Sequence, residues 1–164
     1  MPTVEIATQV VRPTGAGFDL VLIAHVGVAL LCLVQFSLLA VGAFQIRTSP
    51  TDGFPQWAKN FFRPGTNWAG RSVHLLPVLG LVLVGLSKGA YSLSHLWVEA
   101  GIALYLGIAG VAEGWLFPAE QTLKASLKDE DVLSAKSAAR SVERAVGVLW
   151  ALMLVAIVVM FAQF

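Results

Sequence analysis

Residues 145–164 read AVGVLWALMLVAIVVMFAQF, twenty positions without one charge. A helix rises about 1.5 Å per residue, so about 20 apolar residues match the roughly 30 Å hydrocarbon layer of a bilayer. Three earlier stretches have the same character, and together the spans cover about 18–44, 69–88, 96–117 and 145–164. Backbone N–H and C=O groups find no water in lipid, so a spanning segment bonds to itself as a helix. The expected fold is therefore all-α: a polytopic membrane protein, one transmembrane domain over 1–164 built as a four-transmembrane-helix bundle with short loops. Composition agrees, with 57% hydrophobic and 13% charged residues against roughly 25% charged in soluble domains. That shortage of charge excludes a water-soluble enzyme and a disordered tail. A net charge of +1 gives no electrostatic hold on nucleic acid. Cys32 is the single cysteine, which excludes an intramolecular disulfide and any multi-cysteine metal site.

Local signals refine the spans. Pro77, Gly80 and Gly85 interrupt the second, where a bend is expected, and Pro118 is expected to stop the third. The first exceeds a 7–15-residue signal-peptide core, and only Arg12 precedes it as a basic side chain, so it is expected to remain in the chain. Nine of the eleven basic residues lie in the first and third connections, leaving Arg12 and Lys88 for the other face. The positive-inside rule then puts both longer connections in the cytoplasm and both termini outside, in a multi-pass protein of the cell inner (plasma) membrane.

The connections are short. Residues 46–67, IRTSPTDGFPQWAKNFFRPGTN, place Trp57, Phe61 and Phe62 among Lys59 and Arg63, the pattern of an ordered loop with interfacial anchors or of an amphipathic segment on the inner leaflet. A cytoplasmic helix is expected over about 129–144. Its acidic start, Asp129 to Asp131, precedes Lys136, Arg140 and Arg144 at i, i+4 spacing. Acid first and base last suits the helix dipole, and the basic stripe reads as a headgroup anchor or solvated face, with a specific partner site as the alternative. In the third span Ala100, Ala103, Gly107, Gly110 and Gly114 line one side. Small residues let helix backbones approach closely in lipid, so this stripe is expected to meet another helix of the same chain. An intermolecular interface is the alternative.

Ionisable side chains within spans need a partner or a role. Arg71 and His74 open the second span and Glu113 lies near the end of the third. They are expected at one depth, as an Arg71–Glu113 ion pair or as a proton-relay or ligand site with His74. At the opposite side, Asp19, His25, Lys88, His95 and Glu99 gather. They read as headgroup-level polar residues with Asp19 or Glu99 paired to Lys88. His25, His95 and Glu99 are the candidates for a metal site, since histidines with carboxylates suit a hard or borderline ion. A haem held by His25 and His74 is disfavoured, because their heights differ by roughly 10–12 Å. Walker A, C-x-x-C, H-E-x-x-H and G-x-S-x-G motifs are all missing from the sequence, so no enzyme and no cofactor are expected. Cys32, three residues before Gln35, reads as inert packing.

Trp68 to Lys124 comprises an Arg/His-started span with Pro and Gly inside it, S-x-x-W, then a Gly/Ala-rich span ending L-F-P. With L-I-A-H-V-G in the first span, about three quarters of the chain resembles small four-helix bacterial integral membrane proteins. Those are distantly similar to copper-resistance and haem-handling membrane proteins. The resemblance implies the fold, and His25 as the counterpart of an early histidine in such relatives. The Met-rich outer loops of copper handling are missing, since the methionines are Met1, Met153 and Met160. The expected function is a non-catalytic accessory or structural subunit of a larger bacterial membrane assembly, such as a lipid or solute transporter or a respiratory complex. Its partners would be membrane lipids and membrane-protein subunits, with no nucleic acid. The competing readings are a metal- or haem-binding redox or resistance protein and a small proton-coupled transporter.

Overall fold

The structure, a computed structural model, describes residues 13, 15–50, 53–65 and 67–162. Arg12, both chain termini and the last two residues assigned to the fourth span lie outside the described residues. The fold is all-α, with no strand among the described residues. The helices are α1 (Ala16–Thr48), the short α2 (Gln56–Phe61), α3 (Trp68–Leu86), α4 (Leu96–Lys128) and α5 (Val132–Ala162). All but α2 are long and apolar enough to cross a membrane.

Local chemistry sets the helix ends. α1 stops where Pro50 forces the preceding Ser49 into extended backbone, φ −64° and ψ 148°. Asn67 opens α3, its Oδ1 accepting from the Gly70 amide at 3.0 Å. α3 is irregular at its start, in a 3₁₀ turn at Ser72–His74, and is regular α-helix from Leu75 to Leu86 across Pro77, Gly80 and Gly85. Pro77 has no N–H for the Val73 carbonyl four residues back, so the departure from α geometry falls on the turn before the proline. α5 opens at Asp131, whose carboxylate accepts from the Ser134 amide at 3.0 Å and from its hydroxyl at 2.7 Å. Those bonds hold the Asp131 carboxyl below the ordinary carboxylate range. The helix expected at 129–144 and the fourth span are one unbroken helix from Val132, behind a turn in which Glu130 has φ 57°.

Pro118 does not stop the third span, contrary to expectation. α4 runs on to Lys128 because residues Ala112–Leu116 form a π turn, in which the Phe117 amide bonds the Ala112 carbonyl five residues back. That wider turn relieves the clash of the Pro118 ring with the carbonyl of Gly114. The extra turns of α4 carry Glu120, Leu123 and Lys124 into the core.

The helices pack in the order α3, α1, α5, α4, and α3 and α4 do not pack closely on each other. A cleft therefore separates α3 from α4. The core gathers toward the end of the bundle that holds the 49–67 and 129–131 connections, here the basic end. Phe36, Leu39, Ile46, Phe62, Leu116, Leu123, Val142 and Leu149 are fully or almost fully buried there. Toward the opposite end, α1 buries nothing between Phe18 and Cys32, and α5 nothing past Met153. Only 11–22% of the residues in the most apolar window of each long helix are buried, so these helices turn their apolar surface outward, as a bilayer demands.

The packing places one further segment and corrects one further expectation. The segment around Trp57, Phe61 and Phe62 is pinned to α1. The Phe62 ring sits where a Cβ on Gly42 would come within 2.8 Å of it, and Trp57 Nε1 donates to Gln45 Oε1 at 2.8 Å. Gly42 is needed for that close approach. The small-residue stripe of α4 is not the face buried on α5: Ala103, Gly107, Gly110 and Gly114 are exposed, while Ile108, Ala112 and Leu116 are buried. Of the three glycines only Gly107 borders α5, where a Cβ would lie 3.8 Å from Leu152. A Cβ on Gly110 or Gly114 would meet nothing within 4 Å.

Candidate functional site

The cleft between α3 and α4 is bridged by polar side chains. His74, in the 3₁₀ turn of α3, lies with Nδ1 3.1 Å from Tyr105 Oη and Nε2 3.0 Å from Glu113 Oε1. Arg71, one turn earlier, places Nη1 4.0 Å from the same Glu113 oxygen, with its guanidinium 5.0 Å from the centre of the Phe117 ring. The π turn contributes to this arrangement. It carries Glu113 toward α3 and Trp115 toward α5, where the indole N–H donates to Ser141 Oγ at 2.9 Å.

The sequence-predicted trio of Arg71, His74 and Glu113 is thus brought together, but with the histidine as the closer partner of the carboxylate. Tyr105 extends the chain of hydrogen bonds toward the far end. It lies eight residues from Glu113, or about 12 Å of helix. The side chains of Arg71, His74 and Glu113 remain 40%, 36% and 48% exposed. Chemically, the set can hold a proton on His74 between a phenol and a carboxylate, and can pair with a polar or charged group entering the cleft.

A second polar group lies at the basic end, where Lys124 Nζ bonds Glu120 Oε1 at 2.7 Å and the Gly65 carbonyl at 2.9 Å. Both side chains are buried, at 7% and 4% exposure. Asn67 links them to α1: its Nδ2 donates to Glu120 Oε2 at 3.4 Å and its Oδ1 accepts from Gln35 Nε2 at 3.2 Å. Gln35, Phe61, Arg63, Pro64, Gly65, Asn67, Glu120 and Lys124 surround a cavity of about 190 Å³. Sequence reading missed this site because Pro118 was expected to end the helix, which left Glu120 and Lys124 in a solvated connection. Their i, i+4 spacing was the available signal.

Nearby, Arg47 Nε donates to both Glu143 oxygens at 2.9 and 3.0 Å, and Lys136 Nζ donates to the Ser49 carbonyl at 2.7 Å. In the basic stripe, Arg140 and Arg144 stay exposed while Lys136 ties α5 to the end of α1. Cys32 is fully buried, 3.5 Å from Ser72 Oγ.

The residues of the far end are not assembled into a site. His95 Nδ1 accepts from the Ser92 amide at 3.2 Å, and Glu99 is exposed. His25 packs against Gly80 of α3, and its Nδ1 is buried without a hydrogen-bond partner among the described residues. No group of three His, Cys, Asp or Glu among the described residues is placed to hold a metal ion. The Lys88 pairing expected with Asp19 or Glu99 is also not formed among the described residues. Comparison of the chain with protein-family models, with curated proteins and with solved structures finds no match.

Proposed function

We propose that this chain is a non-catalytic subunit of a larger membrane assembly and that it associates through the exposed surface of α4, at the cleft and along the small-residue stripe next to it. One observation carries the reading: Arg71, His74 and Glu113 are 36–48% exposed within or beside helices built to cross a membrane. Charged groups facing lipid are costly, and a partner helix of another protein would cover them. The uncovered Ala103, Gly107, Gly110 and Gly114 add a surface on which such a helix could approach closely.

The test is blue-native electrophoresis of native membranes in mild detergent. Wild-type chain should migrate in a species much larger than itself. Gly110→Leu and Glu113→Gln should return it to monomer size while leaving its thermal midpoint in detergent unchanged. Wild-type chain migrating alone would overturn the reading.

The hydrogen-bonded run from Tyr105 through His74 to Glu113 favours a second reading, a proton path in this cleft. Purified chain in liposomes with an internal pH dye should then conduct protons, and His74→Ala should abolish the flux.

The orientation we propose places the basic end in the cytoplasm of a bacterial cell, by the charge bias, with the protein in the inner membrane. A cysteine at the exposed Leu133 should resist an impermeant thiol reagent in intact cells, whereas one at the exposed Leu93 should react.

A further inference from the structure

The cavity at the basic end is lined mainly by polar groups, and it is formed by α1, α4 and the 61–67 segment. Its volume of about 190 Å³ equals about six water molecules at roughly 30 Å³ each. That is below the roughly 300–1,000 Å³ typical of sites for drug-sized ligands, so a haem or nucleotide does not fit and a small charged group does.

The charges on its wall are Arg63, Lys124 and Glu120, a surplus of one positive charge. Glu120 is already answered: one oxygen takes the Lys124 ammonium and the other the Asn67 amide. The open valences are chiefly donors. Lys124 uses two of its three N–H groups on Glu120 and Gly65. Among the described residues Arg63 makes one bond, from Nη2 to Asn60 Oδ1 at 2.9 Å, of the five N–H groups its guanidinium carries. Gln35 and Asn67 each retain an amide N–H. Converging donors with one surplus positive charge suit an oxyanion of several oxygens.

The surroundings say where such an anion would come from. Trp68, 77% exposed, opens the apolar α3 beside the cavity, and Trp57, 41% exposed, lies on α2 against Gln45 near the end of α1. Amphipathic aromatic side chains at the end of a span mark the headgroup layer. Basic pockets between spanning helices at this level hold phosphorylated headgroups.

We infer that this cavity binds a phosphate group, carried by a phospholipid headgroup at the basic end or supplied as free phosphate. Lys124 and Arg63 supply the charge, Gln35 and Asn67 orient the oxygens, and the Glu120 carboxylate holds Lys124 in place. The site is separate from the α3–α4 cleft, and its occupancy does not depend on association there.

The experiment uses the full chain in detergent, titrated with dihexanoyl phosphatidylglycerol and, separately, with inorganic phosphate, with binding read by thermal shift and by native mass spectrometry. Arg63 is exposed, so Arg63→Gln should fold normally and bind about tenfold more weakly, the loss of one charge-assisted contact. Arg63→Lys should retain part of the affinity. Lys128→Gln removes the same charge from the same end outside the cavity and should bind as wild type does. Lipid binding that phosphate displaces assigns the lipid source, and phosphate binding without lipid binding assigns the free anion. Equal affinity in wild type and Arg63→Gln, or an equal loss in Lys128→Gln, would overturn the proposal, as would no binding of either probe.

Discussion

The two halves of this bundle are held by different forces. At the basic end, α1, α4 and α5 enclose a packed core from Phe36 to Leu123, with the ion pairs Arg47–Glu143 and Glu120–Lys124 tying helices or turns together. At the far end the same helices present Leu20, Ile23, Leu96, Leu106, Val158 and Phe161 to their surroundings, each more than half exposed. A packed interior gains from dispersion contacts that an open one lacks. Apolar surface facing lipid is not penalised as it is in water, so the far half has no need of a core. Specific internal contacts therefore concentrate at the basic end, and both assembled polar sites lie toward it.

The largest test of this contrast compares core truncations. Leu123→Ala or Leu149→Ala should lower stability by about 2–5 kcal/mol, as other buried leucine truncations do. Ile23→Ala or Val158→Ala at the far end should change it by less than about 0.5 kcal/mol. Unfolding midpoints in one detergent would check both, and equal losses would show that the far half is packed as tightly as the basic one.

The buried pair should show nearly as large an effect. Lys124→Met strands the Glu120 carboxylate, and breaking a buried pair from one side typically costs about 3–5 kcal/mol. Adding Glu120→Gln should recover much of that loss, and a double variant no better than the single would separate Lys124 from Glu120 energetically.

In the cleft the side chains are far less enclosed by the protein, so the losses expected in detergent on removing one of them shrink. Arg71→Gln and Glu113→Gln should each cost less than about 1 kcal/mol in the isolated chain. Their double-mutant coupling should be smaller still, since the guanidinium is 4.0 Å from the carboxylate that His74 already engages at 3.0 Å. A strong coupling would mean that the cleft closes in solution.

The smallest effect is expected at Asp131. Its carboxyl titrates below the usual range because Ser134 bonds the charged form, so its contribution is present above the ordinary carboxylate pKa. That contribution fades as pH falls through the depressed value. Hydrogen exchange in the first turn of α5 should accelerate at acid pH in wild type, and Asp131→Ala should exchange fast at every pH.

Much of the fold was legible because apolar length is a local property. About 20 predominantly apolar residues are long enough to span whatever the rest of the chain does, so α1, α3, α4 and α5 each announce themselves. The trio in the cleft was legible for a related reason: antiparallel spans of known rise put Arg71, His74 and Glu113 at one depth. Tyr105 joined them only through the reach of its side chain.

Other features could not be read from composition or spacing. Pro118 looks like a stop until the π turn at Ala112–Leu116 moves the Gly114 carbonyl aside, and that turn is stabilised by the packing of Leu116 and Phe117 in the core. Where α4 ends decides in turn whether Glu120 and Lys124 are a solvated pair or a buried one.

The sequence by itself determined the class of molecule, the four spans, the asymmetry of charge and the depth of the intramembrane ionisable residues, all of which depend on length and composition along one helix. The tertiary structure alone decided which side of α4 is covered, which histidines have partners, and that Gln35, Arg63, Asn67 and Lys124 enclose one cavity. Those outcomes depend on how surfaces from distant segments fit, and on a small difference between large packing and desolvation terms. A single helix does not carry that difference.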